Sequence, residues 1–276
     1  MIVVLSDLHL GLRGSPSPAS LAPLLEGATE LVLNGDASEA ATPPFARAAA
    51  DALAGLHDVA ARAGTSLTMI AGNHDPDAGT LLERRAAGAV VLTHGHAFHP
   101  AIAPWSPHAA AVGAEFARAH AELSGHAEPQ RTLLASQHAA RLERRHDAAK
   151  QPMAELAWMA MRPWKCTEVI GFWRIFPELA VRFLDSLGPA APAAHVIACG
   201  HSHRAGAWSI RGRLMLNTGS FTFPGTPHAV LVEGEEVVLV PLVRRGGEWR
   251  YLASARRSWT IGAIARATAA ASTPVA

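Results

Sequence analysis

Five short stretches gather the residue types that bind hard and borderline metal ions. They are Asp7-Leu8-His9, Gly35-Asp36, Gly72-Asn73-His74-Asp75, His94-Gly95-His96 and Gly200-His201-Ser202-His203. Asp7, His9, Asp36, Asn73, His94, His201 and His203 offer oxygen and nitrogen donors and no thiolate. That set suits Mn²⁺, Fe or Zn²⁺ better than a soft-metal site, with Mn²⁺ favoured. The donors are too many for one ion and enough for two if one carboxylate bridges. Two ions about 3.5–4 Å apart lower the pKa of bound water and hold a hydroxide between them, so a nucleophile exists at neutral pH. A lone Asp-x-His is a common accident, as readily a turn cap beside an ordinary polar residue. Five such stretches at the ends of strand-like runs are not.

The elements that position these residues follow from apolar patterning. Ile2–Leu5 is a β-branched and aliphatic run that reads as a buried strand. Beyond it Asp7 and His9, two apart on an extended backbone, share a face, and Gly11 lets the chain turn away. A short helical turn, Leu21–Leu25, leads to a second strand at Glu30–Asn34, which ends in Gly35-Asp36. Pro43–Ala63 carries apolar residues at helical spacing (Phe45, Ala49, Leu53, Leu56, Val59) and stops at Gly64. Ser66–Ala71 is a third strand, Thr80–Ala87 reads as a short helix, and Ala89–Thr93 is a fourth strand ending at His94. Alternating strands and helices, with polar residues at successive strand ends, predict an α/β protein with an open sheet and its site along that edge.

From Pro100 to about Pro192 the alternation stops. Ala109–Ser124, Pro129–Lys150, Met153–Met161 and Ile170–Leu187 have helical composition, and Ala190-Ala191-Pro192 reads as the linker back. The sheet resumes at His195–Cys199. Short strands follow near Gly206–Ile210, Arg213–Asn217, His228–Glu233 and Val237–Val243. From Ala253 the tail either frays or forms a short helix around Trp259–Ile264. The resulting organisation is a core of residues 1–99 and 191–250, a helical insertion or cap at 100–190 and a tail at 251–276.

The ordered set of five stretches resembles the calcineurin-like metallophosphoesterase superfamily, with Asn217-Thr218-Gly219-Ser220 similar to the turn that follows the last ligand motif there. The resemblance covers both flanks, roughly residues 1–98 and 193–243, and not the insertion. It implies a β-sandwich flanked by helices, with Asp7, His9 and His203 on one ion and Asn73, His94 and His201 on the other. Asp36 would bridge the two. His74 would stand beside the scissile group, stabilising charge or protonating the leaving oxygen, and Asp75 would orient it. The stretch Asp36-Ala37-Ser38-Glu39 departs from the pattern, because many members carry Asp where Glu39 stands. Glu39 is either an acidic substitute behind the ligands or solvent-facing, and solvent is the reading preferred here.

Arg204 is placed for a phosphate oxygen or for a surface ion pair, and His96 for substrate or for structure. In the insertion, Trp158, Met159, Met161, Trp164, Phe172, Trp173, Phe176 and Phe183 read first as a helical core and second as an apolar cleft for an acyl or prenyl chain. Arg131, His138, Arg141 and Arg145 form a basic stripe that reads first as a solvated face. If it faces the site, it would hold a second phosphate or a nucleotide. The implied function is hydrolysis of a phosphomonoester, phosphodiester or pyrophosphate. A second option is similarity to the UDP-diacylglucosamine pyrophosphatases, although the stretch after Asp36 departs from their pattern.

Composition bounds the partners. A chain of 276 residues with a formal net charge of +1 and lysines only at 150 and 165 offers no general polyanion surface. That argues against a nuclease tracking extended nucleic acid. The complete ligand set argues against a non-catalytic scaffold. The expected partner is a small phosphorylated molecule, with or without an apolar moiety, and the oligomeric state is not legible. Cys166 and Cys199 have no metal or redox spacing and read as free thiols in a reducing compartment. With no basic leader and no apolar run of spanning length, a cytoplasmic protein is expected.

Overall fold

A computed structural model describes residues 1–147, 164–188, 191 and 193–272. Its centre is a pair of facing sheets. The first runs β11-β10-β9-β1-β2-β3, with β12 on the other half of β10 from β11; the second runs β4-β5-β6-β8-β7. In chain order these strands are β1 (Ile2–Leu5), β2 (Glu30–Asn34), β3 (Ser66–Ile70), β4 (Glu83–Arg85), β5 (Val90–Leu92) and β6 (Val196–Cys199). They continue as β7 (Gly206–Ile210), β8 (Arg213–Asn217), β9 (His228–Glu233), β10 (Glu236–Arg245), β11 (Glu248–Tyr251) and β12 (Arg257–Thr260). β1, β2 and β3 are parallel, as are β5, β6 and β8, and both sheets add antiparallel strands outside them.

Alternation along each strand divides the core into layers. Val4, Val32 and Ile70 face Val90, Leu92, Val196, Ala198, Leu214 and Leu216 between the sheets. Val3, Leu5, Leu31 and Leu33 point the other way, onto a 3-10 helix at Pro18–Leu25 and onto α1 (Ala46–Arg62) through Leu56 and Val59. On the outer face of the second sheet, Val91, Ile197, Cys199 and Met215 meet Phe172, Phe176 and Phe183 of α4 (Trp164–Ser186). The architecture is a mixed-sheet α/β sandwich with helices on both flanks.

The sandwich that the resemblance implies is what forms, and two readings from the apolar pattern are corrected. The strands make two facing sheets rather than the single open sheet read from their alternation with helices, because apolar runs buried on both faces do not reveal which strands share a sheet. Thr80–Ala87 is not a helix: residues 83–85 form edge strand β4, paired with β5 and fastened to β2 by Arg85, whose guanidinium donates to Glu30 at 2.6 and 2.9 Å. Of the two readings of the tail, the short helix holds from Ile261 onward and the fraying from Ala253 does not. β12 pairs with β10, and α5 (Ile261–Ser272) buries Ile261 and Ile264 among the residues between the sheets.

The chain leaves the second sheet after β5 and returns at its parallel neighbour β6, so the two crossing points are adjacent. Between them, α2 (Ala109–Glu122) and α3 (Glu128–Asp147) enclose Ile102, Val112, Ala139 and Ala140, and α4 follows. The expected helix at Met153–Met161, with Trp158, Met159 and Met161, lies outside the described residues. Of the described aromatic residues of this set, Phe172, Phe176 and Phe183 are buried against the second sheet rather than in a separate helical core, so these three phenylalanines line no open apolar cleft. Half-buried Trp173 packs beside them and donates to the Ser202 carbonyl at 2.7 Å. No helix among the described residues is long and apolar enough to cross a membrane.

Candidate metal centre

The donor residues follow parallel strands β1, β2, β3, β5 and β6, and the strand ends bring them together. Three groups place their donor atoms within 4.8 Å of one another: Asp7, His9 and His203; Asp36, His94 and His201; and His9, Glu39 and His74. Asp7, His9, Asp36, His94 and His201 are buried, and the His203 side chain is 30% exposed. The backbone bends sharply to achieve this. Asp7, His9, Asp36, His201 and His203 all adopt left-handed φ between 49° and 63°. Such conformations are uncommon outside glycine and collect where function demands them. At Gly35 and Gly200 the chain passes so close to the His94 ring and the Asp7 carboxylate that a Cβ would sit 2.3 Å and 2.0 Å away, so neither position admits a side chain.

Hydrogen bonds at the back of the rings fix which nitrogen faces inward. His9 Nδ1 donates to Glu39 Oε1 at 2.8 Å, His94 Nδ1 to the Asn34 carbonyl at 3.0 Å and His201 Nε2 to the Ile102 carbonyl at 3.1 Å. These acceptors assign the tautomers and leave the opposite nitrogens as inward lone pairs. The inward atoms then face other acceptors. His9 Nε2 lies 3.4 Å from His203 Nε2, His94 Nε2 lies 3.2 Å from Asp36 Oδ2, and His201 Nδ1 lies 3.0 Å from Asn73 Oδ1. His203 Nε2 is 3.1 Å from Asp7 Oδ1. Lone pairs aimed at one another in a buried pocket require positive charge between them, either protons or cations. The candidate ligands therefore fit divalent metal.

Without cations, the charges respond to one another. Burial opposes ionisation of Asp36, but the His94 and His74 rings hold its carboxyl well below the usual range. Burial lowers His94, and the Asp36 and Asp7 carboxylates outweigh it, holding the ring up at about 9. His201, pressed by burial and by His94, falls to about 3.

His74 is buttressed differently from the expectation. The Asp75 carboxylate makes no hydrogen bond to its ring. The Asp75 carboxylate accepts backbone N–H bonds from Asp36, Ala37, Ser38 and Gly72 at 2.7–3.1 Å, fixing the loop that carries Asp36. Glu39 orients His74 instead, with Oε1 2.7 Å from Nδ1, and is itself only 3% exposed. The solvent reading of Glu39 is thus corrected: one carboxylate ties His74 to the back of His9. Burial and the Arg144 guanidinium lower His74, while Glu39 and Asp36 outweigh them and hold it at about 9.

Two further residues come from the insertion. Glu143 Oε2 accepts from Asn73 Nδ2 at 3.2 Å, which turns the Asn73 oxygen toward His201, and Arg144 Nη1 lies 3.0 Å from His74 Nδ1. Both are buried. Their signal in the sequence is an Glu-Arg pair one turn beyond the small buried residues Ser136, Ala139 and Ala140, where a helix would ordinarily place apolar side chains. Arg204 is exposed, donates to the Trp173 carbonyl at 3.2 Å and lies over the Trp208 ring, engaging α4 and β7. His96 is buried, 5.6 and 6.4 Å ring to ring from His94 and His201, and burial lowers its pKa well below the usual value. At 2% exposure it does not form part of an open surface.

No family model and no curated protein matches the chain. Among solved structures, it is similar to Vps29 from Chaetomium thermophilum, at 14% identity over 94% of this chain and 97% of that one, with a TM-score of 0.47. A Vps29 complexed with Zn²⁺ from Entamoeba histolytica is similar at 12% identity, over 94% and 98% of the two chains, with a TM-score of 0.41. A dimetal phosphatase from Danio rerio is similar at 13% identity, over 91% and 98%, with a TM-score of 0.43. These are loose likenesses of the whole chain, and the functional reading rests on the residues themselves.

Proposed function

We infer that the protein is a phosphoester hydrolase working with two divalent metal ions, Mn²⁺ first and Fe or Zn²⁺ as alternatives. The observation that carries this reading is the set of inward lone pairs on back-anchored imidazoles, facing carboxylate, amide and imidazole acceptors at 3.0–3.4 Å. Such ions supply Lewis acidity toward a phosphoryl oxygen and a hydroxide nucleophile at neutral pH. Asp7, His9 and His203 would hold one and Asn73, His94 and His201 the other, with Asp36 shared. His74, held by Glu39, stands beside the centre with a proton to give to a leaving oxygen. Glu39 and Glu143 orient His9, His74 and Asn73 from behind, and Asp75 keeps the Asp36 loop in register.

The test is metal content measured with turnover. Protein loaded with Mn²⁺ and desalted should retain close to two ions per chain and hydrolyse an aryl phosphate or an aryl phosphodiester. Retention of no ions, or two ions without turnover across monoesters, diesters, cyclic nucleotides and UDP-sugar pyrophosphates, would refute the hydrolase.

A further inference from the structure

We propose that the buried hydroxyls of Ser6 and Thr218 form a relay that positions Asp7, fixing which carboxylate oxygen it offers to the ion it shares with His9 and His203. Ser6 and Thr218 act through Asp7 and are positioning residues. The relay deepens the two-ion hydrolase reading and rests on it for the ion, while its own geometry is made of hydrogen bonds within the protein.

The need for such a device follows from the two sheets. Asp7 and His9 follow β1 of the first sheet, whereas His203 follows β6 of the second. The ligands of one ion therefore keep their mutual distances only if the sheets hold register at this end. The turn Asn217-Thr218-Gly219-Ser220 serves both sides, because it leaves β8, the parallel neighbour of β6. On one side, Asn217 Nδ2 donates to the Gly200 carbonyl at 2.6 Å and to Ser202 Oγ at 3.1 Å, gripping the turn that carries His201 and His203. On the other, the Phe221 N–H and the Ser220 hydroxyl donate to the Asp7 carbonyl at 3.1 and 3.3 Å. Ser6, Asn217, Thr218 and Ser220 are at most 1% exposed.

Proton accounting orders the hydroxyls. The ionised Asp7 carboxylate can only accept, so the bond from Ser6 Oγ to Asp7 Oδ2 spends the single Ser6 proton. Ser6 Oγ must then accept from Thr218 Oγ1, 2.5 Å away. The Cys199 carbonyl, 3.2 Å from Thr218 Oγ1, is the weaker claimant on that proton. The direction is Thr218 to Ser6 to Asp7, and hydroxyls that both accept and donate polarise one another along such a chain. The relay also makes the two Asp7 oxygens unlike. The His201 N–H lies 3.2 Å from each and does not tell them apart. Ser6 engages Oδ2, which leaves Oδ1, 3.1 Å from His203 Nε2, as the oxygen for the ion.

The experiment follows release of Mn²⁺ from the loaded full chain against a graded chelator series, with melting temperature and turnover of an aryl phosphate measured beside it. His203→Ala, which lacks a ligand of this ion, marks the release step that belongs to it. Thr218→Val keeps the shape and loses the hydroxyl. In that variant and in Ser6→Ala, affinity for this ion should fall by about 10–100-fold, the usual cost of losing a partner behind a ligand. The ion of Asn73, His94 and His201 should leave as it does in the parent. Thr218→Ser, which restores a hydroxyl, should return the parent's curve. Thr68→Val removes a threonine hydroxyl that donates to Glu30 Oε1 at 2.6 Å, at the end of β2 opposite Asp36, and should lower the melting temperature without moving either step. Ser6→Ala, which deletes a single oxygen, covers the case in which Thr218→Val fails to fold. A parent with no release step that His203→Ala removes overturns the relay. So does an unchanged curve in either Ser6→Ala or folded Thr218→Val, equal weakening of both ions, or a Thr218→Ser that behaves like Thr218→Val. The expected shifts in a protein that hydrolyses no phosphoester would remove the hydrolase and keep the relay. Unshifted release with hydrolysis intact would do the reverse.

Discussion

The two halves of the candidate centre are built to different standards of enclosure. Asp36, His94 and His201 are buried, and their rings are anchored by backbone carbonyls of Asn34 and Ile102. Asp7, His9 and His203 form the outer half. Its His203 side chain is 30% exposed, and His9 is anchored by a side chain, Glu39, that also holds His74. Backbone anchors in a packed core are rigid, while a shared carboxylate links one half to His74. The inner half is therefore expected to hold its ion persistently, and the outer half to exchange its ion and take part in chemistry.

Breaking the link between the halves gives the largest effect. Asp36→Ala should lose both ions and reduce turnover to background; full metal content in that variant would remove Asp36 from the bridge. His203→Ala should lose one ion only, and His201→Ala should lose the other, with dialysis against a chelator separating a fast-exchanging from a slow-exchanging ion. If the ion that survives His203→Ala is the faster one to leave, the comparison is inverted.

Next in size is His74. His74→Ala should keep both ions and slow turnover on the order of 10²–10⁴-fold, with a smaller loss for aryl leaving groups that need little protonation. Equal losses for good and poor leaving groups would make His74 a substrate-positioning residue. Glu39→Gln should weaken the outer ion by about 10–100-fold, the usual cost of losing a partner behind a ligand, and leave the inner ion in place. An equal loss at both positions would show that Glu39 supports the whole centre.

The smallest effect belongs to an ion pair in neither half. Hydrogen bonding from Arg85 lowers the pKa of Glu30. A carboxyl lowered on folding adds stability above its unfolded pKa, and that stability is lost as pH falls through the folded value. Glu30→Gln should lower the melting temperature slightly at pH 7, with the gap closing below about pH 4.5 and metal content unaltered. A gap that widens in acid would show that Arg85 does not act through this carboxylate.

Much of the centre was legible because its chemistry is local. Asp7 with His9, and His201 with His203, sit two apart, and each stretch ends a run whose apolar character marks a strand. The groups behind them were not legible for a physical reason. Ile102 and Asn34 act through carbonyls, which every residue has. Glu39, Glu143 and Arg144 are ordinary surface types whose burial depends on packing between distant segments. The apolar pattern alone did not divide the strands into two sheets, which only the resemblance implied: Val3-Val4-Leu5 is apolar on both faces, so it names no neighbour. β4 is short and charged, and its partner strand, not its own propensity, makes it a strand.

The left-handed turns also bear on which amino acids this centre could have been built from. Asp7, His9, Asp36, His201 and His203 occupy a backbone region that excludes most side chains, but asparagine, aspartate and histidine are enriched there several-fold. Those residues are also oxygen and nitrogen donors for borderline ions. At these five positions, conformational tolerance and coordination chemistry select the same small alphabet. Glutamate binds the same ions through the same group, but its longer side chain does not reach back to ease a left-handed residue. The only substitutions that keep the backbone at ease are glycine, which gives up the donor, and exchange within the alphabet. Drift at these positions is thus channelled toward two ends, a changed metal preference or an intact fold with an empty centre.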